Sequence, residues 1–263
     1  MSLKNPRGEK SGFTNKIVND IYIIKVFINE DGGFREFQQY IMTPDKLTRN
    51  NIILLICLLI TVLFYPMLSV HRVIIKDIIF TAIILSGIFS LHFSKKTKNI
   101  LIASGVLTII LTWLEVFIAN DGIKFAAFFS FFCFNVFITV FMIRHVARHK
   151  NVTVTILINS INCYLLIGIL GAVLLAMVAI LQDYFLHMGG GAINFAGSTS
   201  QGFHDYLYFS FVTMTTLGYG DITPVSSLAK SVTILIAVMG QLYLTMLVAM
   251  LVGKYLSRPE QGR

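Results

Sequence analysis

The stretch from Thr213 to Asp221, TMTTLGYGD, sets two glycines and a tyrosine between threonines and an aspartate in a chain that is 56% hydrophobic. No packed helix favours that order. Gly218 and Gly220 reach positive φ at little steric cost, so alternating them with Leu217 and Tyr219 lets successive carbonyls point the same way. The chemistry on offer is ion coordination: a cation exchanges its hydration oxygens for a ladder of carbonyl oxygens, with the Thr216 hydroxyl at one end. Backbone that is neither helix nor closed barrel is tolerated at membrane depth only where protein surrounds it or it lines a watery path.

The elements that position such a ladder are then membrane helices, and the composition agrees. The 263 residues are only 13% charged, the mean hydropathy is +0.76, and the apolar residues fall in long blocks. A bilayer core needs about 20 apolar residues per helix, which predicts spans at 52–69, 73–93, 99–119, 123–143, 161–182 and 227–252. The expected fold class is an all-α membrane protein of six transmembrane helices, with no large soluble domain. The first apolar block begins too far into the chain for a cleaved signal peptide. Some forty-five residues separate the fifth and sixth spans, and they hold a Gly-rich segment, HMGGGAINFAGSTSQG, and then an aromatic run, DYLYFSFVTMT. A helix of about ten residues cannot cross a bilayer; it can enter halfway and return.

The net charge of +8 suggests nucleic acid until its distribution is followed. Seventeen of the 21 basic residues lie before the first span, between the second and third, after the fourth, or after the sixth. The positive-inside rule makes that side cytoplasmic, which predicts a multi-pass cell-membrane protein with both termini inside and no nucleic-acid partner. Residues 1–51 read as a cytoplasmic N-terminal segment in which Phe34, Phe37 and Ile41 recur at helical spacing, either a short amphipathic helix on the inner surface or a poorly ordered tail. Residues 52–143 are expected to form a four-helix membrane unit, 144–160 an interfacial linker, and 257–263 a short cytoplasmic tail, with no regulatory domain expected on it. Cys57, Cys133 and Cys163 fall inside predicted spans at no metal or disulfide spacing, so they read as small hydrophobes.

On TTLGYGD, on the preceding YFSFVTMT and on the following SSLAKSVTILIAVMGQLYLTMLVAMLVGKYL, the chain resembles the potassium channel family, of the type with six spans and one pore loop. The resemblance covers 161–256 well and the first four spans only by number and placement. It implies a pore domain at 161–256 with a pore helix at 205–215 and a selectivity filter at 216–220. In that filter Thr216, Leu217, Gly218 and Tyr219 bind potassium through their carbonyls, Gly220 completes it, and Asp221 stands at the outer mouth. Leu217 departs from the commoner valine, with its side chain expected to point away from the pore. One filter strand cannot enclose an ion, so four copies are implied, a homotetramer in the bilayer. The only expected ligands are potassium ions; no other cofactor is implied.

Charge agrees with a cation path. From Asn151 to Ala229 there is no Lys or Arg, while Asp183, Asp205 and Asp221 are expected on the outer side, where carboxylates enrich cations. Gly240 falls where many potassium channels have a glycine at which the inner helix bends, and Thr245, Val248, Ala249 and Val252 follow on or near one face. That face is expected to line the cavity and inner gate, with Gly240 either a hinge or a close-packing residue.

The fourth span has Lys124 at its outer edge and nothing basic before Arg144, so it lacks the ladder of a voltage sensor, and weak or absent voltage gating is expected. Lys76 and Glu115 lie at equal depth and are expected to pair, with Asp77 joining them. His145 and His149 are one helical turn apart, and they, His187 and His204 read as solvated anchors more readily than as pH sensors. No His, Cys, Ser and acidic set converges at catalytic spacing, so an enzyme is not expected. Two alternatives compete with the channel. A potassium uptake transporter would carry four repeats in one chain, and a non-conducting regulatory subunit would carry a damaged filter.

Overall fold

The computed structural model describes residues 46–67, 72–91, 95–118, 120–149, 153–185, 191–195 and 202–256. Phe34, Phe37, Ile41, His187 and the tail at 257–263 lie outside them. Apolar blocks free of proline become long helices: α1 (Lys46–Leu63), α2 (Arg72–Phe89), α3 (Lys95–Phe117), α4 (Asp121–Arg148) and α5 (Val154–Ile180). Then come strand β1 (Ile193–Phe195), the half-length helix α6 (Phe203–Met214), strand β2 (Ile222–Pro224) and α7 (Ser227–Leu256).

Among the described residues, five helical stretches are long and apolar enough to cross a membrane: Leu47–Met67, Lys95–Phe117, Asp121–Arg148, Val154–Tyr184 and Ser227–Gly253. The remaining expected span, 73–93, is helical as far as Phe89, as α2. It is not among the five because its 18 residues carry Arg72, Lys76 and Asp77. The stretch 144–160 is not a separate linker but is shared between two helices, since α4 runs on to Arg148 and α5 starts at Val154. The sequence reading ended α4 at the first arginine. The helix instead carries its last basic turn beyond the apolar block, where cations suit the negative end of the helix dipole.

α5 is the axle of the fold. It packs against α1, α4, α6 and α7, and 67% of its most apolar stretch is buried, against 11% for α7. Consecutive helices α1 to α4 pack in pairs beside it. A buried aromatic cluster joins this group to α6: Phe80 stacks on Phe131 at 3.9 Å and meets Phe203, the first residue of α6, edge-on at 5.2 Å. Two side-chain hydrogen bonds join neighbouring helices of the bundle, Thr108 with Ser130 at 2.7 Å and Trp113 Nε1 to the Thr81 hydroxyl at 3.2 Å.

Lys76 and Glu115 meet as their equal depth predicts. The ammonium lies 2.8 Å from Glu115 Oε2 and 3.3 Å from Asp77 Oδ1. His145 and His149 lie edge to face at 4.5 Å at the end of α4.

Candidate functional site

The candidate site is the loop that leaves α6, and its shape is set by how firmly α6 is held. α6 starts two residues earlier than the aromatic run suggested, because the Asp205 carboxylate accepts a hydrogen bond from the Gly202 backbone N–H at 3.1 Å and closes the first turn. Its middle is pinned to α5: Ser210 donates to the Gly168 carbonyl at 2.7 Å. At Gly168 and Gly171 there is no room for a Cβ, which would meet the Phe211 ring and the Ser210 hydroxyl. Its end is pinned to α7, where Met214 is fully buried against Gly240.

Beyond Met214 the chain folds back on the end of that helix. Thr216 N–H donates to the Thr213 carbonyl at 3.0 Å, and the N–H groups of Leu217 and Gly218 both donate to the Val212 carbonyl, at 3.0 and 3.2 Å. The backbone then alternates as the sequence suggests and one step further. Gly218 and Gly220 take φ of 56° and 81°, and Thr216 takes 62°. A threonine in the left-handed region was not legible beforehand, since β-branched residues avoid it. Here its hydroxyl donates to the Thr215 carbonyl at 2.6 Å, a local bond that helps to hold the conformation.

The consequence for the carbonyls is direct. Among the described residues, no hydrogen bond ends on the carbonyl oxygens of Thr216, Leu217, Gly218 or Tyr219, and residues 215–221 are all exposed on the single chain. Enclosed within an assembly, such a run of unpaired backbone oxygens would be costly unless something took their lone pairs. A cation, or water that a cation displaces, can do so.

The far end of the loop is tied down too. Tyr208, two turns back on α6, donates its hydroxyl to Asp221 Oδ2 at 2.8 Å, and that bond pushes the phenol up to about 12, so it stays a donor. β2 follows immediately and pairs antiparallel with β1 from the preceding loop, Asn194 opposite Thr223. The roles of Tyr208 and β1 were missed by sequence reasoning; one aromatic among several on the half-helix offers no signal by type alone.

Of the three carboxylates expected together on the outer side, only Asp221 stands beside the loop. Asp205 is spent on Gly202 and lies 3.3 Å from His204 Nε2, and Asp183 lines a separate cavity. Gly240 lies within an unbroken helix and faces Met214, where an added Cβ would come 2.8 Å from the Met214 carbonyl oxygen. Its neighbour Gln241 reaches the same oxygen at 3.4 Å. This is close packing. Thr245, Val248, Ala249 and Val252 are exposed on the single chain, and the Thr245 hydroxyl is satisfied by the Gln241 carbonyl at 2.8 Å.

Comparison with known proteins falls on the same segment. Residues 164–257 match the family described as "Ion channel". The chain is also 41% identical over 68 residues, 26% of its length, to two-pore potassium channel 4 of Arabidopsis thaliana, and it spans about a quarter (24%) of that relative. Both similarities are to ion channels, and neither is to an enzyme.

Proposed function

We propose that the chain is one subunit of a potassium-selective channel that conducts passively across the cell membrane. Four copies surround the pore, and each contributes residues 216–220 as one strand of the filter. The observation that carries this reading is the row of unpartnered, exposed carbonyls on a backbone with positive φ at every second residue. Rings of such oxygens replace an ion's hydration shell. Asp221 then faces the outer mouth, and Thr245, Val248, Ala249 and Val252 line the inner cavity. α2 is the sixth crossing in this reading, with the Lys76 ammonium set between the Asp77 and Glu115 carboxylates, and both termini are cytoplasmic.

The test is electrical. With opposed sodium and potassium gradients across a bilayer, the reversal potential follows the potassium gradient, because each filter site is a ring of carbonyl or hydroxyl oxygens with no carboxylate in it. A reversal near zero would remove the proposal.

Voltage dependence is expected to be shallow. Steep gating uses three to four charges in each of four subunits, and α4 holds none between Lys124 at one end and Arg144 and Arg148 at the other. A conductance curve corresponding to fewer than about two gating charges per tetramer is expected. A steep sigmoid that survives neutralising Arg144 and Arg148 would show that another element carries the charge.

A further inference from the structure

A second site lies away from the filter loop. A cavity of about 470 Å³ opens at the end of the bundle where α6 begins, and a volume of about 300–1,000 Å³ is usual for small-molecule sites. Two kinds of group make its wall. Tyr65, Phe128, Phe203 and Tyr206 present aromatic surface, while Glu115, Asp121 and Asp183 set three carboxylates against the ammoniums of Lys76 and Lys124. Asp77 lies beside Lys76 and Asp205 beside His204, so acid exceeds base.

One ammonium is already seated in this wall. Lys76 Nζ lies 5.1 Å from the centre of the Phe128 ring and 2.8 Å from Glu115, on a side chain only 7% exposed. An aromatic face backed by a carboxylate is the chemistry that recognises an ammonium ion. Glu115 is committed to Lys76, which leaves Asp121 and Asp183, both exposed, to receive another cation. A metal ion fits less well, since no three His, Cys, Asp or Glu side chains among the described residues are grouped to hold one.

We infer that this cavity binds a small organic ammonium ion, such as an alkylamine or short diamine, between Asp121, Asp183 and the aromatic wall. Phe203 belongs both to that wall and to the buried aromatic cluster, so the ligand touches the first residue of α6. Binding does not depend on the channel reading, and it is measured without flux.

The experiment is calorimetric titration of the full-length protein in detergent with butane-1,4-diammonium and with butylammonium. Saturable binding is expected. Asp183→Asn and Asp121→Asn each weaken it by about tenfold. Lys124→Gln, which removes a competing like charge, tightens it, and a merely damaged fold would not give that gain. Absence of saturable binding, equal affinity in all three variants, or tighter binding of glycine or acetate than of the amines would overturn the inference.

Discussion

A Gly218→Ala variant is expected to carry no rubidium flux in liposomes while still folding and assembling as the parent does. The two halves of that outcome come from different terms. An added Cβ meets nothing within 4 Å on the single chain, so packing is untouched. The penalty is conformational: at a φ of 56° an alanine costs roughly 1–2 kcal/mol. That is too little to unfold a bundle of this size. In a tetramer, however, the same strain falls on all four strands around one ion, and each strand relieves it by rotating the peptide. The carbonyl then turns away from the path. Uptake in the variant matched to empty liposomes, with an unchanged elution volume, is the expected pair of readings; uptake at the parent rate would show that these carbonyls do not hold the ion. Leu217→Val keeps the backbone geometry and is expected to keep flux.

Gly240→Ala is expected to damage the protein by a different route. The new methyl lands on Met214, against both the side chain and the carbonyl oxygen 2.8 Å away, and overpacking of this kind typically costs about 1–3 kcal/mol. Because Met214 ends α6, the displacement reaches the start of the loop, and both thermal stability and rubidium uptake fall. Trimming the obstructing side chain separates packing from hinging. If Gly240 serves close approach, Met214→Ala in the Gly240→Ala background restores part of the stability, the carbonyl clash remaining. If the glycine is needed as a bend, the second change adds its own loss and nothing returns.

How far these features could be read from the amino-acid order depends on how local their causes are. The positive φ of Gly218 and Gly220 follows from residue type, and the Lys76–Glu115 pair follows from counting depth along two apolar blocks. Helix ends were less legible, because α4 and α5 continue through basic and polar residues that the apolar pattern treats as a boundary. The left-handed Thr216 was hidden because its support combines a bond to the end of α6 with one local bond from its own hydroxyl, neither of which residue type announces. The β1–β2 pair, three residues each, was hidden because so short a strand exists only when its partner arrives from elsewhere in the chain. At Gly240 the sequence left hinge and packing open, and the tie to Met214 is a contact that spacing within α7 cannot show.

The charged start of α2 bears on how the protein is made. In the six-crossing reading, Lys76 and Asp77 would each oppose entry into hydrocarbon if α2 were inserted alone, at up to roughly 2.5–3.5 kcal/mol for a residue at mid-depth and less toward a helix end. Adjacent and opposite in sign, the two lie 3.3 Å apart and offset each other within α2; Glu115, 2.8 Å from the Lys76 ammonium, belongs to the next helix and lies 39 residues further along the chain. The charge that depends on a partner from another helix is therefore Glu115, which meets in Lys76 an ammonium that α2 has already supplied. In that reading α3 enters against an α2 already in place, and Lys76 is the group that lets Glu115 enter with it.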